Sequence, residues 1–178
     1  MGRRGRWRSW SKKASKRVTL QRMAAAAALA LAAATGGCQS GGSDAATQAG
    51  VATKRVTITT AAGKAHDFTV ELAATEAQQQ RGLMYRPSIP ADGGMLFAPY
   101  PPDGGPPKPA SFWMKNTPSA LDILFIRPDG TVATIAEDTI PYSEIPVGSG
   151  EPVSAVLELG GGRAAELGIA AGDKVTWK

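Results

Sequence analysis

The sequence predicts a mainly β fold: a compact antiparallel β-sandwich or barrel-like domain, α+β at its margin, with one or two short helices. Three observations point there. Short runs alternate apolar and polar residues, as in Val56 and Ile58 and then Phe68, Val70 and Leu72, the period of a half-buried strand. Turn signals recur at hairpin spacing: Gly63-Lys64, Pro128-Asp129-Gly130, Gly160-Gly161-Gly162 and Gly172-Asp173. Strand and helix patterns do not alternate, as a parallel sheet would require.

Taken in order, Arg55–Thr60 reads as the first strand, and Phe68–Leu72 as its hairpin partner across Gly63-Lys64. Thr75-Glu76-Ala77-Gln78 has the form of a capping box, with Thr75 accepting from the backbone of Gln78, so a short helix is expected over Glu76–Arg81. Gly82 is expected to end it in the left-handed conformation. Met95-Leu96-Phe97 is a strand approached through Gly93-Gly94. Tyr100–Pro109, with its repeated Pro and Gly, is expected to be an exposed loop, either a lid edge or an ordinary insertion. Leu121–Ile126 is a strand apolar at every position but Asp122, and Thr131–Ile135 returns beside it. Ile140–Pro152 is broken by Pro and Gly and is expected to be irregular. Ala155–Leu159 is a strand, Arg163–Leu167 a single helical turn, and Lys174–Trp177 part of a terminal strand.

At 178 residues the chain has room for one domain with a substantial core. Its net charge of +5 is misleading. Nine of the 20 Lys and Arg lie in residues 1–37 without an acid, which leaves 11 against 15 Asp and Glu beyond them, a net −4. No basic stripe survives in the folded part, so nucleic acid is not an expected partner.

Residues 1–37 read as an export signal: a basic stretch, then the apolar run Met23–Ala34. That run is about 12 residues, against the roughly 20 of a spanning helix. It ends in Thr35-Gly36-Gly37-Cys38, similar to a lipoprotein cleavage site at which Cys38 would carry lipid. Thr35 departs from the usual Leu or Val, and Arg3-Arg4 leaves a twin-arginine route open. A lone cysteine forms no internal disulfide, and the alternative to lipidation is an unpaired thiol in the leader. Residues 38–54 are rich in small polar residues and read as a flexible tether to a single domain over 55–178. The expected location is the periplasm or the inner face of the outer membrane, with the lipid on Cys38 as the membrane contact.

The chemistry concentrates in Ser111–Asp122, where Trp113, Lys115, Asn116 and Thr117 crowd together just before an apolar strand. Such a mixture suits the wall of a cleft that orients a small polar ligand. Met84, Arg86, Met95 and Asp122 complete the expected binding set. Asp122 inside an apolar strand needs a partner, with Lys115, Arg86 or the Asn116 amide as candidates. It is either a structural group or a ligand acceptor and general base. Glu158 faces the same choice, and would join the site only if its strand neighbours that of Asp122. These two carboxylates are the catalytic candidates.

Other signatures are weak. The folded part has no Cys, no nucleophile elbow and no phosphate loop of the Walker type. Gly160-Gly161-Gly162 can be an anion-binding helix start or simply a tight turn. His66, the only His, lacks the neighbours of a metal site. Met84, Met95 and Met114 are more simply packing groups than copper ligands. No cofactor or metal is implied.

Three blocks, Gln80-Arg81-Gly82-Leu83-Met84-Tyr85-Arg86, Gly94-Met95-Leu96-Phe97 and Phe112-Trp113-Met114-Lys115-Asn116-Thr117 with Leu121-Asp122-Ile123, resemble in order and spacing a bacterial and archaeal family. It is the one known as domain of unknown function 192. Val156-Leu157-Glu158-Leu159, Gly168-Ile169 and Gly172-Asp173 fit its C-terminal part. The resemblance implies a small, mostly β, sandwich-like domain, often exported or lipid-anchored, and carries no activity to transfer. The leading expectation is therefore an envelope domain that binds a small polar ligand or an envelope fragment around Trp113. The alternatives are an envelope hydrolase using Asp122 and Glu158, and a module that docks on another protein through an edge strand.

Overall fold

The computed structural model describes residues 51–178. The leader and Cys38 lie outside the described residues, as does all of the tether before residue 51. The described part is mainly β, with nine strands and two short helices. Strands β1 (Thr53–Thr59) and β2 (Ala65–Ala73) form the first hairpin, with His66 opposite Ile58 near its turn. Helix α1 (Glu76–Arg81) and a long loop lead to β3 (Met95–Phe97). Then come β4 (Lys108–Phe112), β5 (Leu121–Ile126) and β6 (Val132–Ala136). The chain ends with β7 (Val147–Val153), β8 (Ala155–Gly160), helix α2 (Arg163–Leu167) and β9 (Lys174–Trp177).

Seven strands make one sheet in the order β6-β5-β8-β3-β2-β1-β9, and β4 pairs with β7 in a separate ribbon. The sheet curls until its outer strands meet at one end. There Thr131 bridges Lys174, Val132 N–H donates to Asp173 at 2.9 Å and Val175 N–H donates to Gly130 at 2.8 Å. Gly130 permits this contact, because a Cβ on it would lie 3.0 Å from the Val175 carbonyl oxygen. Joining the outer strands hides backbone groups that an open sheet leaves available for aggregation.

Side-chain alternation splits the apolar residues between the two faces. Phe68, Val70, Leu96, Leu124, Leu157 and Leu159 fill the core on one face. Met95, Phe97, Ile123, Phe125 and Val156 build a second core on the other, together with Ala110 and Val153 of the ribbon. Phe112 of β4 joins the ribbon to the sheet: its ring meets Phe97 edge-on at 5.1 Å between centroids and Phe125 at 6.0 Å. With both faces covered, all six residues of β5 are buried.

Three features differ from the sequence reading. β2 and β3 run parallel, because residues 74–94, with α1 among them, form the crossover that a parallel pair needs. Lys108–Phe112 and Val147–Val153, expected in loop and irregular chain, pair with each other. Their prolines are tolerated because a two-stranded ribbon leaves each strand an unpaired side, and Pro109 stands opposite Pro152. The register shift after Pro109 is stitched by Ser149, whose Oγ accepts from Ala110 N–H at 2.9 Å and donates to the Glu151 carbonyl at 2.6 Å. Gly82 does end α1, but at φ 48° and ψ −138°, outside the left-handed helical basin.

Candidate functional site

α1 is capped as its sequence requires. Thr75 Oγ1 accepts from Gln78 N–H at 3.3 Å, and Gln78 Oε1 accepts from Thr75 N–H at 3.0 Å. Gln79 then ties the helix to the sheet, its amide donating to the carbonyls of Ala73 at 3.0 Å and Pro99 at 2.8 Å. The helix stands as one wall of a cavity of about 640 Å³.

The facing wall is the Trp113–Thr117 loop. Buried Met114 anchors it, and three backbone hydrogen bonds hold its shape: Met114 N–H to Ser143 at 2.8 Å, Tyr85 N–H to Asn116 at 2.8 Å and Tyr142 N–H to Thr117 at 3.1 Å. Tyr85, Asn116 and Tyr142 all have left-handed backbones, with φ of 64°, 55° and 60°. Each costs of the order of 1 kcal/mol in a non-glycine residue, so strain is concentrated on this loop and its two neighbours. The Lys115 ammonium lies 5.1 Å from the Trp113 ring centroid, and Trp113 is 48% exposed. The Asn116 amide reaches the Met84 sulfur at 3.9 Å.

Of the expected binding residues, Met84, Trp113, Lys115, Asn116 and Thr117 line this cavity together. Met95, Arg86 and Asp122 do not. Met95 is buried in the second core. Arg86 donates to Glu71 at 2.7 Å in a half-buried ion pair. Asp122 is fully buried, and its partners are none of the three side chains expected. Its Oδ1 accepts from the backbone N–H groups of Asp138 at 2.7 Å and Gly162 at 3.0 Å, and its Oδ2 accepts from Ala164 N–H at 2.7 Å. Asp122 is thus the cap that α2 lacks locally, since Gly162 at the N-cap has no side chain to offer. The Gly160-Gly161-Gly162 turn is held by that carboxylate, which takes the N–H groups an anion would have used.

Glu158 occupies the floor of the cavity. β5 and β8 are neighbours, as its membership in the site required, but the register pairs Asp122 with Leu159 and Glu158 with Ile123. The two carboxylates therefore project from opposite faces of the sheet. They cannot share a substrate, and the paired acid and base expected for a hydrolase is not formed.

Glu158 is 4% exposed, and its Oε2 is the one buried side-chain oxygen among the described residues that lacks a hydrogen-bond partner. Burial pushes its carboxyl group up to about 8. At neutral pH it is a protonated acid with an unmet hydrogen-bonding capacity. Its backbone lies so close to Gly94 that a Cβ there would fall 2.1 Å from the Glu158 carbonyl oxygen. Sequence reasoning missed Gln79, Gln80 and Tyr100 on the cavity walls, whereas Ser111 and Phe112 belong to the stretch read as a cleft wall. The glutamine run of α1 was the signal for the first two.

A family model described as an uncharacterized ACR, domain of unknown function 192, matches residues 57–177. The chain belongs to this family. The blocks around Met84, Met95 and Trp113 lie inside the match, so the family's region contains the whole cavity. A structure from Sinorhizobium meliloti 1021, described as a "putative transcription regulator", is similar at 46% identity and a TM-score of 0.67, over 71% of this chain and 95% of its own. One from Novosphingobium aromaticivorans DSM 12444, a protein of unknown function, is similar at 44% identity and a TM-score of 0.67, over 74% of this chain and 89% of its own. No curated protein matches the chain.

Proposed function

We propose that this family member is an exported, lipid-anchored domain of the cell envelope that binds a small ligand, or a fragment of an envelope component, in the cleft around Trp113. The observation that carries the binding reading is the floor of that cleft. An acid whose side chain no described residue satisfies forms the base of a cavity walled by aromatic, thioether and amide groups. Leaving such a group unpaired costs about 1–3 kcal/mol, which an occupant that hydrogen-bonds to it would recover. The volume, about 640 Å³, is within the usual range for small-molecule sites. Export and anchoring rest on the basic and apolar leader with Cys38 at its end.

The test is native mass spectrometry of the full chain extracted from the membranes of a bacterial host in mild detergent. A small molecule should co-purify with the wild type and be lost from Trp113→Ala. A ligand-free spectrum under both mild and activating conditions would count against binding. In parallel, Cys38→Ser should move the protein from the membrane to the soluble envelope fraction, and persistence in membranes would refute the lipid anchor.

A second reading, a module that docks on another envelope protein, has one observation in its favour. The large exposed apolar side chains of the described part are Tyr85, Trp113, Ile140, Tyr142 and Ile145, all on the three segments that meet at the Trp113 loop. Exposed apolar clusters of this kind mark contact surfaces.

A further inference from the structure

The chemistry of the cleft narrows what it can hold. No described residue donates a hydrogen bond to Glu158 or forms an ion pair with it. β3 packs Met95 beside it and β5 packs Ile123, neither titratable. The charged or titratable groups that share the cavity are Glu76 and Arg81 of α1, Tyr100 and Lys115. Glu76 and Arg81 are exposed, and Tyr100 and Lys115 half-buried. Burial alone, with no neighbouring charge, accounts for the upward shift of Glu158.

A cationic guest would use the aromatic rings, but two of them already carry a cation: Lys115 over Trp113 at 5.1 Å and Lys108 over Tyr100 at 5.9 Å. An anionic guest would have to leave water for a floor that offers no buried cation, and burying an uncompensated charge is the costlier course. A neutral guest meets neither obstacle. A protonated carboxyl presents one donor and one acceptor side by side. Its natural complement is a carbonyl and an N–H on the same edge, which together make two parallel hydrogen bonds once the carboxyl group turns its closed-off Oε2 toward the guest. A trans peptide bond points these groups in opposite directions, whereas a primary carboxamide, a lactam or a ureide presents both.

Resting on the cleft-binding reading above, we infer that the cleft takes a small, neutral, mostly apolar molecule that presents a carboxamide, lactam or ureide edge to the carboxyl group of Glu158. The aromatic walls cover its apolar body, and the edge enters first. Ionising Glu158 removes the donor, so binding weakens as pH rises through about 8. No bond is made or broken in this step.

The test uses three probes of one shape, 4-fluorobenzamide, 4-fluorobenzylamine and 4-fluorobenzoate. Each is titrated by fluorine NMR with the full chain in detergent, at about pH 6.5 and about pH 9. The amide should bind best, and about tenfold more weakly at the higher pH, as a group titrating near 8 requires. Glu158→Gln, which is always neutral and keeps a donor beside an acceptor, should retain amide binding and lose the pH dependence. Glu158→Leu should abolish amide binding; should it not fold, the Gln variant and the wild-type pH comparison decide. An amine that binds best and tightens with pH, a benzoate that binds best, or amide binding indifferent to pH would each overturn the inference and leave a binding cleft. Absence of binding by all three probes at millimolar concentration, with no co-purified molecule, would remove the cleft reading itself.

Discussion

The two faces of the sheet each carry a buried acid, one residue apart in register, and solve the problem of burial in opposite ways. Asp122 gathers three backbone N–H groups at 2.7–3.0 Å and becomes part of the scaffold. Asp173 does the same on a smaller scale, accepting from Ala61 N–H at 2.8 Å and Ala170 N–H at 2.7 Å. Glu158 gathers no donor and retains its proton. Equal burial therefore does not mean equal purpose. The satisfied acids hold chain segments together, and the unsatisfied one opens on a cavity. Functional candidates are better sought among buried groups with unmet hydrogen bonds than among buried groups as such.

The sharpest way to break the comparison is to remove the satisfied acid. Asp122→Asn keeps the shape, but turns an NH2 toward an N–H group on one side and weakens the remaining bonds. Hydrogen bonds to charged groups are worth about 1.5–3 kcal/mol, and a buried donor left unmet costs more. A loss of about 3–4 kcal/mol in urea unfolding is expected. An unchanged midpoint would show that the α2 cap contributes little.

Glu158 should behave in the reverse sense. Its carboxyl is raised from 4.5 to about 8 in the folded protein, while the unfolded chain keeps the ordinary value. Between those two values the native state holds a proton that the unfolded state has lost. Stability from this group is thus full below about 4.5 and is lost as pH rises toward about 8. Glu158→Gln should abolish that slope. By pH 8 the variant should exceed the wild type by about 2–3 kcal/mol, discounted from the full linkage because water penetration softens a buried shift. Parallel stability curves between pH 5 and 8 would contradict the assignment of Glu158 as a neutral acid.

The sequence made one side of this comparison more legible than the other. That Asp122 is buried follows from its apolar neighbours Leu121 and Ile123–Ile126. Its partners do not, because backbone N–H groups leave no letter in the sequence, and the side chains proposed for it lie elsewhere. A glycine at the head of α2 was the available clue, since a helix start without a capping side chain invites a distant one. Met84, Trp113, Lys115, Asn116 and Thr117 could be grouped because blocks of mixed chemistry beside a strand suit a cleft, and the structure brings them together. Met95 and Arg86 share those blocks, yet burial in the second core keeps Met95 off the cavity wall, and Arg86 is engaged by its ion pair with Glu71. The ribbon of β4 and β7 was hidden by its prolines and glycines, which in an edge position do not forbid a strand. The neighbouring of β5 and β8 matters less than its parity, and parity requires a register that only coordinates supply.

The two helices sharpen the same contrast at its smallest scale. α2 is capped from the neighbouring strand β5 by Asp122, whereas α1, a wall of the Glu158 cavity, is capped by its own Thr75 and Gln78. No residue of α1 is buried, so the helix has little packing to compensate for a lost cap. Thr75→Ala should therefore cost about 1 kcal/mol of local rather than global stability. Amide hydrogen exchange should report it as faster exchange at Gln78 and Gln79, with β5 and β8 unchanged. Any amide probe bound on the Glu158 floor should be released faster in the same variant, because the wall that encloses it opens more often. If exchange instead rose throughout the sheet, α1 would belong to the folding core, and the cavity would have two rigid walls rather than one rigid and one yielding.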